Sequence, residues 1–345
     1  MLFLMAIKNK KLIFCAFCAG FAAVLLMSCA PKREKANVKS IAVFIPGMTA
    51  GSPIYSELVS GARQAVGERA DYELLVVEAG YNQAEWEDKL TLLTAGGKHD
   101  LIVSSNPSMP FFVETISKKF PEQRFLLMDA QLAANPAVYT LCYNQREQGF
   151  MAGYLAGLLS SEASAVGLIA AQEYPALTEV IKPAFLEGAA AASGEVGKSP
   201  SLSLSYSVIG NWFDAQKAAE LAGAMINSGV KVILPVAGSA SEGVVQKAAE
   251  SGAKVIWFDS NGYSIRPGVI AGSCALLQKN AVYDKLNLYF KGELPFGEAE
   301  TVGVRDGYVQ FIEDDPLYLE NTDPLVREKQ SAMINQIKEG LLILD

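Results

Sequence analysis

The 345-residue sequence predicts an α/β protein built as two lobes, each a parallel sheet flanked by helices. Two observations carry this. Short, continuous apolar runs alternate with amphipathic helical stretches along most of the chain. Strands of a parallel sheet read this way because both their faces are covered and each neighbour is reached by a helical crossover. The series then begins again near Val166-Gly167-Leu168-Ile169, so a second, similar lobe follows the first.

Taken in order, Lys8, Lys10 and Lys11 precede an apolar run from Leu12 to Met27 that ends in Leu26-Met27-Ser28-Cys29-Ala30. The charged front, the short run and the small residue before the cysteine read as a bacterial lipoprotein signal peptide over residues 1–28. Cleavage before Cys29 and acylation of its sulfur, with a palmitate-type chain, would anchor the protein to a membrane facing the periplasm. Residues 29–38 then form a polar tether.

Ile41 to Ile45 opens the first strand, and Pro53 pre-sets a helix over Tyr55 to Val66. Strands at Leu74–Val77, Asp100–Val103 and Phe125–Met128 alternate with helices at Trp86–Leu93 and Phe111–Phe120. Gln145 to Leu159 reads as a helix with one smooth side, set by Gly149, Gly153 and Gly157 at four-residue spacing. Its Gln145, Arg146, Glu147 and Gln148 argue for close packing near a hinge and against a membrane span.

The stretch from Gly210 to Gly262 is the most informative. Asp214 is a good N-cap for a helix whose Ala218, Leu221, Ala222, Met225 and Ile226 recur at three-and-four spacing. Val232–Val236 and Val255–Phe258 follow as strands, with a Gly/Ser loop and a helix between them. Val269 onward reads as a return to the first lobe, with a helix over Ala281–Phe290. Glu313–Asp323 is an acidic loop and Ser331–Leu342 a terminal helix. The expected lobes are therefore residues 39–143 with about 264–298, and about 144–263 with 299–345.

In open α/β sheets small ligands sit beyond the carboxyl ends of strands. Asn211-Trp212-Phe213, Gly238-Ser239 and Asp259-Ser260-Asn261 all lie at such ends, offering an aromatic face, exposed backbone, hydroxyls and a carboxylate. That set suits a flat ring carrying a polyol or sugar. A formal net charge of −8 without a basic cluster in the body argues against a nucleic-acid partner. His99, the one histidine, reads as a surface turn residue, which removes histidine-based triads and multi-histidine metal sites. No cofactor or metal is expected. Gly238 to Gly243 lacks the lysine of a P-loop, and Glu242 opposes a phosphate. Cys142 and Cys274 read as small buried residues.

The segments QGFMAGYLAGLLS, GNWFDAQKAAELAGAMINSGVKVILPVAGSASEGVVQKAAESGAKVIWFDSNG and GVRDGYVQF together resemble the basic membrane protein (BMP) family of substrate-binding lipoproteins. The resemblance implies a type I periplasmic-binding-protein fold, two lobes closing on a solute, and ABC permease subunits as partners. Trp212 stands where the family has a base-stacking Phe, Gly238 in its loop motif, and Asp259 where an Asp holds ribose hydroxyls. Ile54-Tyr55 falls where a second aromatic is usual.

Two departures matter. The family's Asp/Asn-rich first loop is here Gly47 to Pro53, and Leu276, after Ser273, replaces a family Lys. The sequence is similar to the riboflavin-binding branch, which implies riboflavin as the transported ligand. Trp212 and Tyr55 would sandwich the ring, and Asp259 and Asn261 would take ribityl hydroxyls. Ser104, Ser105 or Asn106 would reach the ring's polar edge, with Asn211 and Ser239 completing the site. A purine nucleoside is the alternative ligand. An extracytoplasmic nucleoside or sugar hydrolase using Asp214 and Asp259, and a lipid-anchored sensor, are alternatives of other classes. A monomer that is not an enzyme is the expectation.

Overall fold

A computed structural model of the protein describes residues 38–160, 165–195 and 202–344. The stretch expected to be a signal peptide, Cys29 and the expected tether up to residue 37 lie outside the described residues. Among the described residues no helix is long and apolar enough to cross a membrane.

The first sheet contains β1 (Lys39–Ile45), β2 (Tyr72–Glu78), β3 (Leu101–Ser105), β4 (Arg124–Met128), β5 (Val138–Tyr143) and β11 (Ala299–Val302) in the order β11-β5-β4-β3-β1-β2. All of its pairings are parallel. Helices α1 (Pro53–Gly67), α2 (Trp86–Ala95) and α3 (Met109–Lys119) connect its strands, as the alternation predicts. Its centre is dry: Ile41, Ala42, Val43, Phe44 and Ile45 are all fully buried.

The second sheet contains β6 (Ala165–Ala170), β7 (Ser203–Val208), β8 (Val232–Val236), β9 (Lys254–Asp259), β10 (Ile270–Leu276) and β12 (Val309–Phe311) in the order β12-β10-β9-β8-β6-β7. The pairing of β12 with β10 is antiparallel and the others are parallel. Its helices are α4 (Gln145–Leu159), α5 (Lys182–Glu195), α6 (Ala215–Asn227) and α7 (Ser241–Ser251). Helices α8 (Gln278–Lys291), α9 (Pro316–Asn321) and α10 (Pro324–Glu339) complete the chain.

The last third differs from the sequence-based expectation. The run beginning at Val269 does not return to the first lobe: β10 pairs with β9 and β12 in the second sheet. Every residue of β10 is buried, which suits a strand flanked on both sides. Return comes only after Leu276, through α8, which packs on α1, and β11, which joins the first sheet beside β5. Helix α9 falls inside the stretch expected to be a loop, with Asp315 accepting from the N–H of Leu317. Helix α10 starts earlier than the apolar pattern suggests because Asp323 caps it and Pro324 occupies its first turn.

Three crossovers join the lobes: β5 to α4, β10 to α8, and β11 to β12. Hydrogen bonds tie them side by side. The N–H of Asn144 donates to Val302, that of Leu277 to Tyr308, and Glu147 Oε2 accepts from Val304 N at 2.7 Å. The α4 side of this hinge is fixed by its glycines. A Cβ on Gly153 would collide with the carbonyl of Phe185 in α5, and Gly149 and Gly157 meet Ile181 and Ala189 in the same way. The two helices therefore pack backbone to backbone.

This predicts that Gly153→Ala destabilises the protein by about 1–3 kcal/mol, since the helices must part to admit one methyl group. Gly194, in the same helix pair, faces open space. Gly194→Ala should leave thermal stability at or slightly above that of the parent. Thermal denaturation of the two variants side by side checks the difference.

Candidate functional site

The carboxyl ends of both sheets face one cleft. There the loop after β1 in the first lobe meets the turn after β8 in the second, and a Cβ on Gly51 would lie 3.5 Å from the Cβ of Ser239. The lobes are closed on each other.

Two aspartates occupy the cleft floor, one from each lobe. Asp259 ends β9 with φ 71°, and Asp129 follows β4 directly with φ 49°. Aspartate is among the few residues that tolerate this left-handed region, and the turn there aims each side chain away from its strand. Nε2 of Gln148 donates to Asp259 Oδ1 at 3.0 Å. Asp129 has no side-chain hydrogen bond, and neither carboxylate joins an ion pair, among the described residues. Burial and the negative charge of Asp259 push the Asp129 carboxyl up to about 7. Burial pushes Asp259 up to about 6 against the opposing hydrogen bond from Gln148.

The aromatic wall comes from the second lobe. Trp212 is 38% exposed, and Tyr174, in the loop after β6, lies 6.1 Å from it, centroid to centroid, with the rings tilted by 40°. Burial, then Asp259, then Asp129 raise the Tyr174 hydroxyl pKa. Gly238, at φ +56°, passes under the indole, where a Cβ would come within 3.3 Å of Trp212. The carbonyl of Trp212 is held by the hydroxyl of Ser239 at 3.0 Å and by the N–H of Ala240 at 3.1 Å. On the first lobe, Tyr55 donates to the carbonyl of Pro46 at 3.1 Å and accepts from Asn106 Nδ2 at 3.1 Å. Its hydroxyl is pushed up to about 12, mostly by burial and partly by Asp129.

The structure thus brings Tyr55, Asn106, Trp212, Gly238, Ser239 and Asp259 around one cleft. The other expected residues are engaged elsewhere. Ser104 is buried and donates to the carbonyl of Phe44 at 2.8 Å, and Ser105 accepts from Gln278 Nε2 at 2.7 Å. Oδ1 of Asn211 accepts from the N–H groups of Phe213 and Asp214, shaping the turn that presents Trp212. Asn261 donates to Asp315 Oδ2 at 2.9 Å and accepts from Tyr263 N. Asp214 caps α6 through Lys217 N at 2.9 Å. Asp129, Tyr174 and Gln148 were not among the expected site residues. Asp129 carried a signal, because Phe-Leu-Leu-Met-Asp at 125–129 repeats the pattern Val-Ile-Trp-Phe-Asp at 255–259: four apolar residues, then the acid.

Two α/β lobes hinged at three crossovers, with both sheets ending at one cleft, define the two-lobed periplasmic-binding-protein fold. Within that class the chain belongs to the family of PnrA-like ABC transporter substrate-binding proteins, whose model matches residues 38–340. It is similar to the CD4+ T-cell-stimulating antigen of Listeria innocua, 25% identical over 174 residues, which are 49% of this chain and 46% of that protein. The antigen of the same name from Listeria monocytogenes matches to the same extent. The chain spans about half the length of the curated relatives it matches. Among solved structures, an ABC transporter solute-binding protein from Aeropyrum pernix K1 superposes with a TM-score of 0.77 at 19% identity, covering 89% of this chain and 94% of that one. A solute-binding protein from Conexibacter woesei does so with a TM-score of 0.66 at 16% identity, covering 89% and 99%. These likenesses show the fold.

The aspartate pair gives a pH dependence whose sign is fixed. A carboxyl whose pKa rises on folding keeps a proton in the folded chain that the unfolded chain has already released. Stability is then highest at low pH and falls as pH rises. For Asp129 and Asp259 the window runs from the ordinary carboxylate range, about 4, up to about 7. Asp129→Asn should flatten this decline and leave the ligand-free protein about 1–3 kcal/mol more stable than the parent at pH 8. Denaturant titrations from pH 4 to 8 measure it.

Proposed function

We propose that the protein is the extracytoplasmic solute-binding component of an ABC importer, and that it binds riboflavin between its lobes. The observation that carries the ligand class is the pairing of Asp129 and Asp259 beside an exposed indole. Two half-buried carboxylates without a cation among the described residues call for a ligand that brings hydrogen-bond donors and no negative charge. A polyhydroxylated chain supplies such donors, and a flat ring uses the face of Trp212.

The width of the ring favours an isoalloxazine over a purine. Trp212 and Tyr174 together make a broad aromatic wall, and the loop from Gly47 to Pro53 offers no carboxylate or amide side chain for a purine edge. Thr49, its one central hydroxyl, is tied to Glu78. In this reading Trp212 stacks on the ring and Tyr174 borders it. Tyr55 and Asn106 close from the first lobe, and Asp259 and Asp129 accept from ribityl hydroxyls. Export and anchoring through lipid on Cys29, association with permease subunits, and action as a monomer without enzymatic turnover belong to the same proposal.

The protein purified from its native host should be yellow and release free riboflavin on unfolding. A colourless protein that neither quenches added riboflavin nor changes its own tryptophan fluorescence would remove flavin, and titration with inosine would then test the purine reading. Stacking on protein aromatics is worth on the order of 1–3 kcal/mol per ring. Trp212→Ala is therefore expected to weaken riboflavin binding by roughly ten- to a hundredfold, and an unchanged affinity would place the ring elsewhere.

A further inference from the structure

Gln148, in the first turn of α4, is fully buried. Its Nε2 donates at 3.0 Å to Asp259 Oδ1 and at 3.0 Å to the carbonyl of Cys274. Both partners are acceptors only, so the orientation of the amide is fixed. Its Oε1 has no hydrogen-bond partner among the described residues. That oxygen is itself buried, out of reach of a ligand in this arrangement. A buried acceptor without a donor costs about 1–3 kcal/mol. The side chain bears this cost while keeping its donor on the group proposed to hold ligand hydroxyls.

We propose that Gln148 determines the specificity of this site as a positioning residue: it holds the Asp259 carboxylate in place from behind, so that the carboxylate is set to accept hydroxyls of the bound ligand. The proposal rests on the hydroxyl-binding role given to Asp259 above. The two oxygens of a carboxylate fixed in this way match a diol, each accepting one hydroxyl proton. They reject a phosphate or carboxylate, which brings only acceptors. Losing the Gln148 donor also removes an interaction that favours the charged form of Asp259, so the carboxyl should take up its proton at higher pH. The other titratable groups that face this carboxylate pair are Glu57, Tyr55, Tyr143, Tyr174, Cys142 and Cys274.

The test uses Gln148→Met, which keeps the volume and removes both polar atoms, in the full chain. The first arm needs no ligand. Carbon-13 NMR titration of the aspartate carboxyls should show Asp259 titrating at higher pH in the variant, and an unchanged titration overturns the positioning role. The second arm compares riboflavin with lumiflavin, the same ring without its ribityl chain, by flavin fluorescence quenching. Gln148→Met should weaken riboflavin about tenfold or more and leave lumiflavin within about twofold. Equal losses for both, or no loss for riboflavin, overturn the proposal and make Gln148 a link between α4 and the second sheet. Gln148→Glu is the second variant: its carboxylate beside Asp259 should weaken riboflavin at pH 8 and recover part of the affinity near pH 6, where the pair shares a proton. If the parent binds neither flavin, the riboflavin reading alone has failed. Inosine against hypoxanthine, which differ by the ribose, then makes the same comparison.

Discussion

The closed arrangement depends on two carboxylates that do not want to meet. Asp129 and Asp259 come from different lobes, so their repulsion and the loss of their hydration exist only when the lobes are together. A ligand that donates hydrogen bonds to both removes that penalty in the closed state and has no equivalent to offer in an open one. In the proposed function, this differential interaction would let a small solute shift an equilibrium between open and closed lobes. An aromatic platform alone, confined to the second lobe, would bind a ring without favouring closure.

Closure of this kind needs stiff lobes and a narrow hinge. Each lobe is a six-stranded sheet with a dry centre, and the crossovers run side by side, bound to one another through Asn144, Glu147 and Leu277. Gln278 anchors the first-lobe side. It accepts from the Tyr143 hydroxyl at 2.8 Å and donates to Ser105, so the end of β5, the end of β3 and the start of α8 move as one piece. Gln148 does the corresponding work at the start of α4. Each lobe thus begins its post-crossover helix with a buried glutamine that grips the carboxyl ends of its own sheet.

Much of this was legible in the sequence because parallel strands and amphipathic helices each leave a period. The alternation of apolar runs and helices fixes the α/β class, the restart at Val166 fixes the second lobe, and Asp214 announces its helix by residue type. What periodicity does not carry is which sheet a strand joins. Ile270 to Leu276 is as apolar as a strand of either lobe, and only its pairing with β9 and β12 decides. Short edge strands such as β11 and β12 are too brief to leave a pattern. At the site, residue type pointed to loops at the ends of strands but not to how each polar group is used. Ser104, Ser105 and Asn261 are consumed by partners distant in sequence, Phe44, Gln278 and Asp315, which no local reading reveals. Asp129 was readable by internal comparison with Asp259, since both aspartates end a run of four apolar residues in a left-handed turn.

The same local accounting bears on a charged ligand. The turn from Gly238 into α7 has the form of a phosphate cradle: a glycine at positive φ, serines, and the start of a helix. Such a cradle works only if its N–H groups are free to point at an anion. Here the N–H of Ala240 donates to the carbonyls of Trp212 and Ala237, and that of Ser241 to Gly238 and Ser239. Glu242 in the first turn offsets the positive end of the helix dipole. The turn spends its hydrogen bonds on holding Trp212 in place. The part of the second lobe with the form of a phosphate cradle instead holds the backbone of Trp212, the proposed platform for a ring.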